Sequence, residues 1–89
     1  MISRTSSDFR RELARLPARI RRQARNAFRL FLANPNHPSL KFKKLPAHED
    51  LWSVRINNEY RAIGRWRGEV ILWFFIGSHA DYDKLIDRL

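Results

Sequence analysis

The run from Leu51 to Asp83, LWSVRINNEYRAIGRWRGEVILWFFIGSHADYD, constrains the fold more than any other stretch. In WSVRI, Trp52, Val54 and Ile56 alternate with Ser53 and Arg55, the period of a strand with one apolar face. A polar turn, Asn57-Asn58-Glu59, leads into YRAIGRW, and Arg67-Gly68 turns the chain into EVILWFFIG. This last run is apolar at both parities, which predicts a strand covered on both sides. It stops at Gly77, and the polar cluster Ser78 to Asp83 follows. Three consecutive strands ending on a polar motif are therefore expected.

The register of the first hairpin decides where its arginines go. A three-residue loop, Asn57 to Glu59, sets Ile56 opposite Tyr60, Arg55 opposite Arg61 and Val54 opposite Ala62. It gathers Trp52, Val54, Ile56, Tyr60 and Ala62 on one face. A two-residue loop would put Arg61 opposite Val54, because one residue of slip flips every side chain. The three-residue loop is the expected one. It holds two like charges across a ladder, which is mildly unfavourable and suggests that an anion binds between them. The alternative is a pair of solvated surface arginines.

Charge bears on that choice. Eighteen Lys and Arg stand against nine Asp and Glu, a net charge of +9, and the isoelectric point is near 11.3. Such a chain is expected to meet a polyanion or an acidic protein; the alternative is a basic surface without a specific partner. Eighty-nine residues suit a single domain, residues 1–89, with one modest core. There is no cysteine, which excludes disulfides and thiolate metal sites. Val70 to Ile76 is too short an apolar run to span a bilayer, and no secretory signal is visible, so the expected location is the cytoplasm.

The remaining elements follow from spacing. Ile2 to Arg4 suits an edge strand. Thr5, Ser6 and Ser7 are N-cap candidates, with Asp8 in the first turn of a helix carrying Phe9, Leu13 and Leu16. Pro17 suits N1 of a second helix, whose stripe is Ile20, Ala24, Ala27, Phe28 and Phe31 and which Asn34-Pro35 ends. Eight arginines between Arg10 and Arg29 fall on the outer helix faces, where a solvated surface is the commoner reading. Leu40 and Phe42 alternate with Lys41 and Lys43, as in a strand with a lysine face. Asp81 to Leu89 suits a short terminal helix. The order β-α-α-β-β-β-β indicates α+β, with the helices covering one face of the sheet. The other face is left to Lys41, Lys43, Arg55, Arg61 and the terminal polar cluster, with Tyr82 and Phe74 or Phe75 in reach.

LWSVRINNEYRAIG, a strongly apolar strand and then GSHADYDKL, in that order, resemble the RelE/ParE superfamily of bacterial type II toxins. Gly-Ser-His-Ala-Asp is most similar to the YafQ-like branch, and the resemblance spans nearly the whole chain. It implies an N-terminal helical hairpin packed on a mainly antiparallel, strongly twisted sheet. RelE-type members cut mRNA in the ribosomal A site, ParE-type members inhibit DNA gyrase without nuclease activity, and a cognate antitoxin neutralises both. The implied function is thus a toxin acting as a ribosome-dependent mRNA endoribonuclease that blocks translation. The alternatives are a ParE-type gyrase inhibitor or an inactive antitoxin-binding relative.

Carried over residue by residue, Arg55 and Arg61 match the hairpin arginines and His79 the terminal basic or imidazole position. Tyr82 lies near the terminal aromatic, one position earlier than in the arginine-type motif. Lys41 and Lys43, with neighbouring Lys44, fall where RelE-type enzymes carry RNA-binding residues. Glu59 lies where the YafQ-like branch has an acidic residue and is the candidate acid/base. The implied partners are mRNA on the ribosome and an antitoxin whose acidic or disordered C-terminal segment would meet Arg21, Arg25 and Arg29. No cofactor is implied.

The chemistry can be argued from the residues as well. Cleaving RNA without a metal needs the 2′-hydroxyl deprotonated, the phosphorane charge stabilised and the 5′-oxygen protonated. Paired arginines fork onto phosphate oxygens, a histidine exchanges protons near neutrality, and a tyrosine stacks on a base or donates its hydroxyl. For His79 the alternative is a histidine that merely caps the turn after a strand. His37 and His48 lie in polar loops and are read as structural. No metal-ligand spacing, Gly-rich phosphate loop or nucleophile elbow is present.

Overall fold

The computed structural model describes residues 1–89. β1 (Ile2–Thr5) leads into α1 (Ser7–Arg15) and α2 (Ala18–Ala33). A single 3₁₀ turn, Pro38–Leu40, precedes β2 (Lys43–Lys44), β3 (Leu51–Arg55), β4 (Tyr60–Arg67), β5 (Val70–Ser78) and α3 (His79–Arg88). The strands form one sheet in the order β1-β5-β4-β3-β2. β1 runs parallel to β5 and every other pairing is antiparallel. The α+β class is as expected.

Local chemistry sets the helix ends. Of the three cap candidates it is Ser6 whose hydroxyl accepts the Phe9 N–H, at 3.0 Å. Pro17 is the N-cap of α2 rather than its first residue, with extended ψ of 150°. The Arg21 guanidinium donates to the Leu16 carbonyl, so this arginine holds the link between α1 and α2. α2 buries Ile20, Ala24, Ala27 and Phe31, whereas Phe28 lies at the stripe's margin, 37% exposed.

The helices cover a core of Val54, Ala62, Ile71, Trp73 and Ile76 from the sheet with Phe9, Ala24, Ala27, Phe31 and Leu40. An aromatic chain crosses it: Trp73 to Phe31 (5.3 Å), Phe31 to Phe42 (4.9 Å), Phe42 to Trp52 (4.8 Å) and Trp52 to Trp66 (5.0 Å). Trp73 Nε1 donates to Ser3 Oγ at 2.8 Å and so ties β1 to this core.

The opposite face corrects one expectation. It is not left open and cationic. Leu45, Leu51 and Ile63 are buried there beneath Tyr82, Leu85 and Ile86 of α3, with Phe74 and Phe75 alongside. α3 begins at His79, two residues earlier than expected, and runs ten residues. Tyr82, Leu85 and Ile86 stand at i, i+3 and i+4, the spacing of one helical stripe. A bulge completes the arrangement. Ile63 pairs with Phe75 but Gly64 pairs with Trp73, leaving Phe74 over. Trp73 and Ile76 therefore reach the same core despite opposite parity, and Phe74 and Phe75 both reach the other.

Ser53 is fully buried on this second face and its hydroxyl has no partner. An unpaired buried hydroxyl costs about 1–3 kcal/mol. Ser53→Ala is therefore expected to leave the melting temperature unchanged or raise it. A drop of several degrees on thermal unfolding would refute the unpaired state.

The lysine strand is shorter than expected. Only Lys43 and Lys44 are extended, while Lys41 adopts a left-handed φ of 45° as it caps the 3₁₀ turn. His37 Nδ1 accepts the Ser39 N–H at 3.2 Å and buries Leu40 through that turn, which breaks the alternation. Lys43 pairs with Ser53 and Lys44 with Trp52, so the two lysines point to opposite faces.

Asp50 clamps the loop before β3 onto β4. Its carboxylate lies 2.9 Å from Arg67 Nε and 3.4 Å from Arg65 Nε, and its carbonyl accepts the Trp66 N–H at 2.7 Å. The hydrogen bond from Arg67 is the chief cause that holds this carboxyl below the usual aspartate range. A lowered folded value stabilises the fold above the unfolded value of about 3.9 and ceases to as pH falls through the folded one. Between about pH 5 and pH 3 the parent is expected to lose more stability than Asp50→Asn. Because the pair is exposed the difference is small. Parallel stability curves in urea would show that the clamp contributes nothing.

Candidate active site

The β3–β4 hairpin takes the three-residue register. Val54 pairs with Ala62, Arg55 pairs with Arg61, and the Ile56 N–H donates to the Tyr60 carbonyl at 3.0 Å. One side chain builds the turn. Asn57 Oδ1 accepts the N–H groups of Glu59 (2.7 Å) and Tyr60 (2.9 Å). Its Nδ2 donates to Gln23 Oε1 at 2.6 Å, which anchors the hairpin tip to α2. The next residue, Asn58, accepts from the Arg55 guanidinium and orients it.

The other half of the site comes from the β5–α3 junction. Ser78 caps α3, its hydroxyl accepting the Asp81 N–H at 3.3 Å. The His79 N–H donates to the Glu59 carbonyl at 2.8 Å, so the start of α3 is tied to the hairpin turn. Gly77 faces Arg61 across the ladder. A Cβ there would lie 2.9 Å from Phe75 Cζ and 3.2 Å from Asp81 Cβ, so glycine is what lets the helix fold back onto the strand.

These two junctions bring four of the expected residues together. The His79 and Tyr82 rings lie 6.2 Å apart and nearly parallel, at 3°. The Arg61 guanidinium stands 5.8 Å from the centre of the Tyr82 ring. Arg55 is directly across from Arg61. Glu59 touches the group through its carbonyl, and its side chain is exposed. Lys43, opposite Ser53, shares the face of Arg55. Lys44 faces the other way and Lys41 lies outside the strand.

The electrostatics favour an anion. The ion pairs of the chain are Arg11–Asp8, Arg15–Glu12 and Asp50 with Arg65 and Arg67. Neither Arg55 nor Arg61 has a carboxylate. The fold holds two guanidinium groups across one ladder with no counter-charge, beside an aromatic ring and an exposed imidazole. No three His, Asp or Glu side chains stand together as a metal-binding group, and no helix is long and apolar enough to cross a membrane.

Sequence reasoning missed Gln23, Asn57 and Asn58. The Asn57-Asn58 pair was legible as a turn, since Asn side chains bond backbone N–H groups two residues on. Gln23 left no such trace, because it meets Asn57 across 34 residues.

Residues 18–84 match the model of the ParE-like toxin domain family. The chain belongs to the RelE/ParE toxin superfamily. Solved structures show that this toxin shares its fold with established members. RelE in the RelB–RelE complex of Methanococcus jannaschii is 18% identical, with a TM-score of 0.71 over 92% of this chain and 96% of that one. The YoeB/ParE toxin of Agrobacterium tumefaciens is 20% identical, with a TM-score of 0.70 over 89% and 99%. YafQ of Escherichia coli is 14% identical, with a TM-score of 0.70 over 90% and 94%. No curated protein sequence matches the chain significantly.

Proposed function

We propose that this RelE/ParE-type toxin is an endoribonuclease that cleaves mRNA on the ribosome, in the cytoplasm, and is held in check by an antitoxin. The observation that carries the reading is the uncompensated Arg55–Arg61 pair beside the Tyr82–His79 stack. The two arginines bind the non-bridging oxygens of the scissile phosphate and stabilise the charge that builds on the phosphorane. The 2′-oxygen attacks phosphorus as its proton leaves, and the bond to the 5′-oxygen breaks as that oxygen gains a proton. The products are a 2′,3′-cyclic phosphate and a 5′-hydroxyl. His79 is exposed and serves one of the two proton transfers, and Glu59, whose backbone carbonyl accepts the His79 N–H, is our candidate for the other. Tyr82 stacks on the substrate base, and Lys43 holds a flanking phosphate.

Primer extension on a translated message tests this. Codon-phased cuts that vanish in His79→Ala are expected, and equal cutting by the variant would sink the assignment.

A second reading is gyrase inhibition, favoured by the ParE-like family match. Supercoiling by purified gyrase decides it. Inhibition at concentrations that leave translation intact would replace the nuclease reading.

The antitoxin reading draws on the Methanococcus relative, itself an antitoxin–toxin complex. Here a groove of about 390 Å³ between α1 and α2 is floored by Phe9, Leu13, Ala24 and Phe28 and rimmed by Arg10, Arg25 and Arg29. It suits an amphipathic acidic segment. Arg21 is engaged with Leu16 and is not counted among the rim contacts. The association rate is expected to fall steeply with salt, since exposed charges are screened beyond roughly 8–10 Å at physiological ionic strength. The dissociation rate is expected to move little. Stopped-flow binding at low and high salt reads both.

A further inference from the structure

The Asn57 side chain at the hairpin tip makes three hydrogen bonds. Its Oδ1 accepts the N–H of Glu59 at 2.7 Å and that of Tyr60 at 2.9 Å, and its Nδ2 donates to Gln23 Oε1 at 2.6 Å. Backbone N–H groups can meet only the oxygen of the amide, so its orientation is fixed. The two N–H groups belong to the peptide planes on either side of the Glu59 Cα. Tying both planes to one oxygen sets the two soft backbone rotations of Glu59.

The second of those planes has another end. A peptide unit is rigid and joins the carbonyl of one residue to the N–H of the next. The unit that gives its Tyr60 N–H to Asn57 is therefore the one whose Glu59 carbonyl accepts the His79 N–H, at 2.8 Å. Rotating this unit breaks both bonds together. The ladder resumes beyond it, at the Tyr60 carbonyl, which accepts the N–H groups of Ile56 and Asn57. One chain of bonds thus runs from half-buried Gln23 on α2, through Asn57 and a single peptide plane, to the first residue of α3.

We propose that Asn57 is a positioning residue for message cleavage, aiming His79 at the phosphate through the Glu59–Tyr60 peptide, with Gln23 as its anchor. The inference rests on the nuclease reading, in which His79 transfers a proton at the phosphate that Arg55 and Arg61 bind. The arginines do not depend on this route, because the β3–β4 ladder holds them opposite each other. Ser78 stays paired with Tyr60, so losing the Asn57 bonds frees the direction of the first turn of α3 without detaching the helix. The cost to the fold is small. Glu59 and His79 are exposed, so water can take up their freed groups, and Asn57 is not among the residues of positive φ, so alanine fits there without strain.

Two measurements on Asn57→Ala test the proposal: message cleavage on programmed ribosomes and amide hydrogen exchange at His79. The kcat is expected to fall roughly 10²-fold, the scale of a displacement of about 1 Å at a reacting group, with KM within a few-fold of the parent. The His79 amide is expected to exchange roughly tenfold faster or more, while the amides of the β3–β4 ladder keep their protection. A residue that only stabilised the turn would instead expose the whole hairpin together and lower cleavage only in proportion to the unfolded fraction. Gln23→Ala removes the anchor but leaves the Oδ1 bonds in place, so a smaller loss in the same direction is expected. It also keeps the test decisive if Asn57→Ala folds poorly. Asn57→Asp retains one oxygen for the two N–H groups, and Gln23 can turn its amide to donate to the other. Its kcat is therefore expected to return most of the way to the parent value. Parent-like cleavage by folded Asn57→Ala would overturn the proposal, as would parent-like exchange at His79. So would a raised KM at unchanged kcat, which would put Asn57 in binding the message. A parent chain that leaves messages uncut would fell the nuclease reading. Fast exchange in Asn57→Ala would then still keep the tie from Asn57 to His79, and slow exchange would remove that as well.

Discussion

Arg61→Ala is expected to lower the rate of message cleavage by roughly 10²–10³-fold, the usual cost of removing one preorganised donor to a developing oxyanion. Arg61 has no carboxylate partner, so its loss leaves no buried charge behind and the fold is expected to hold. It also removes one of two like charges held across the ladder, which spares a small repulsion. The variant is therefore expected to melt at or slightly above the parent temperature while losing its activity. Arg61→Lys separates charge from geometry, since lysine keeps the charge but cannot fork onto two phosphate oxygens. If Arg61→Lys cut as well as the parent, Arg61 would be serving as a point charge only. If Arg61→Ala cut as well, the site would lie elsewhere. Tyr82→Phe keeps the ring over which Arg61 lies and is expected to stay within a few-fold of the parent. Tyr82→Ala also loses packing against the second core, so its activity has to be read beside its stability.

The largest effect on stability is expected at Trp73. It is 3% exposed, packs edge-on to Phe31 at 5.3 Å, and reaches Ser3 through Nε1. It therefore joins the helices, the centre of the sheet and the edge strand. Truncating a buried tryptophan to alanine costs about 3–5 kcal/mol, a large share of the roughly 5–15 kcal/mol a small domain has. For a chain this size the melting temperature is expected to fall by between about 12 and 40 °C. Trp73→Phe keeps an apolar ring but loses the bond to Ser3, so it is expected to cost less than Trp73→Ala and to loosen β1 most. Urea unfolding with amide exchange on Ile2–Thr5 measures both. A Trp73→Ala variant as stable as the parent would mean that the core closes over the cavity.

Much of this toxin was legible in the chain because the signals were local. The spans of α1 and α2, the cap candidates around Ser6 and the alternation in WSVRI depend on residues within a turn or two of one another. Even the Arg55–Arg61 pairing followed from local logic, since only the three-residue loop keeps Trp52, Val54, Ile56 and Ala62 on one face. The candidate site was legible to the same depth. Arg55, Arg61, Tyr82 and His79 lie in two short motifs, and the tertiary structure brings those motifs together.

What the sequence could not show depended on distance or on a break in period. The bulge at Phe74 swaps parity inside a run apolar at every position, so no alternation was there to reveal it. Lys41 looked like a strand residue because Leu40 and Phe42 alternate with lysines, but a 3₁₀ turn begun by Pro38 buries Leu40 without any strand. The second face read as cationic because its arginines are conspicuous along the chain. Its apolar centre, Leu45, Leu51 and Ile63, is drawn from the loop after β2, from β3 and from β4, and becomes a core only when α3 covers it. By itself the sequence determined the first two helices and the long strands, their order, the hairpin register and the excess of positive charge, all set by neighbours along the chain. Only the tertiary structure decided that Gln23 would hold Asn57, that the Glu59 carbonyl would take the His79 N–H, and that Arg61 would lie over Tyr82. Each of those contacts joins segments many residues apart, and packing rather than local propensity brings them within reach.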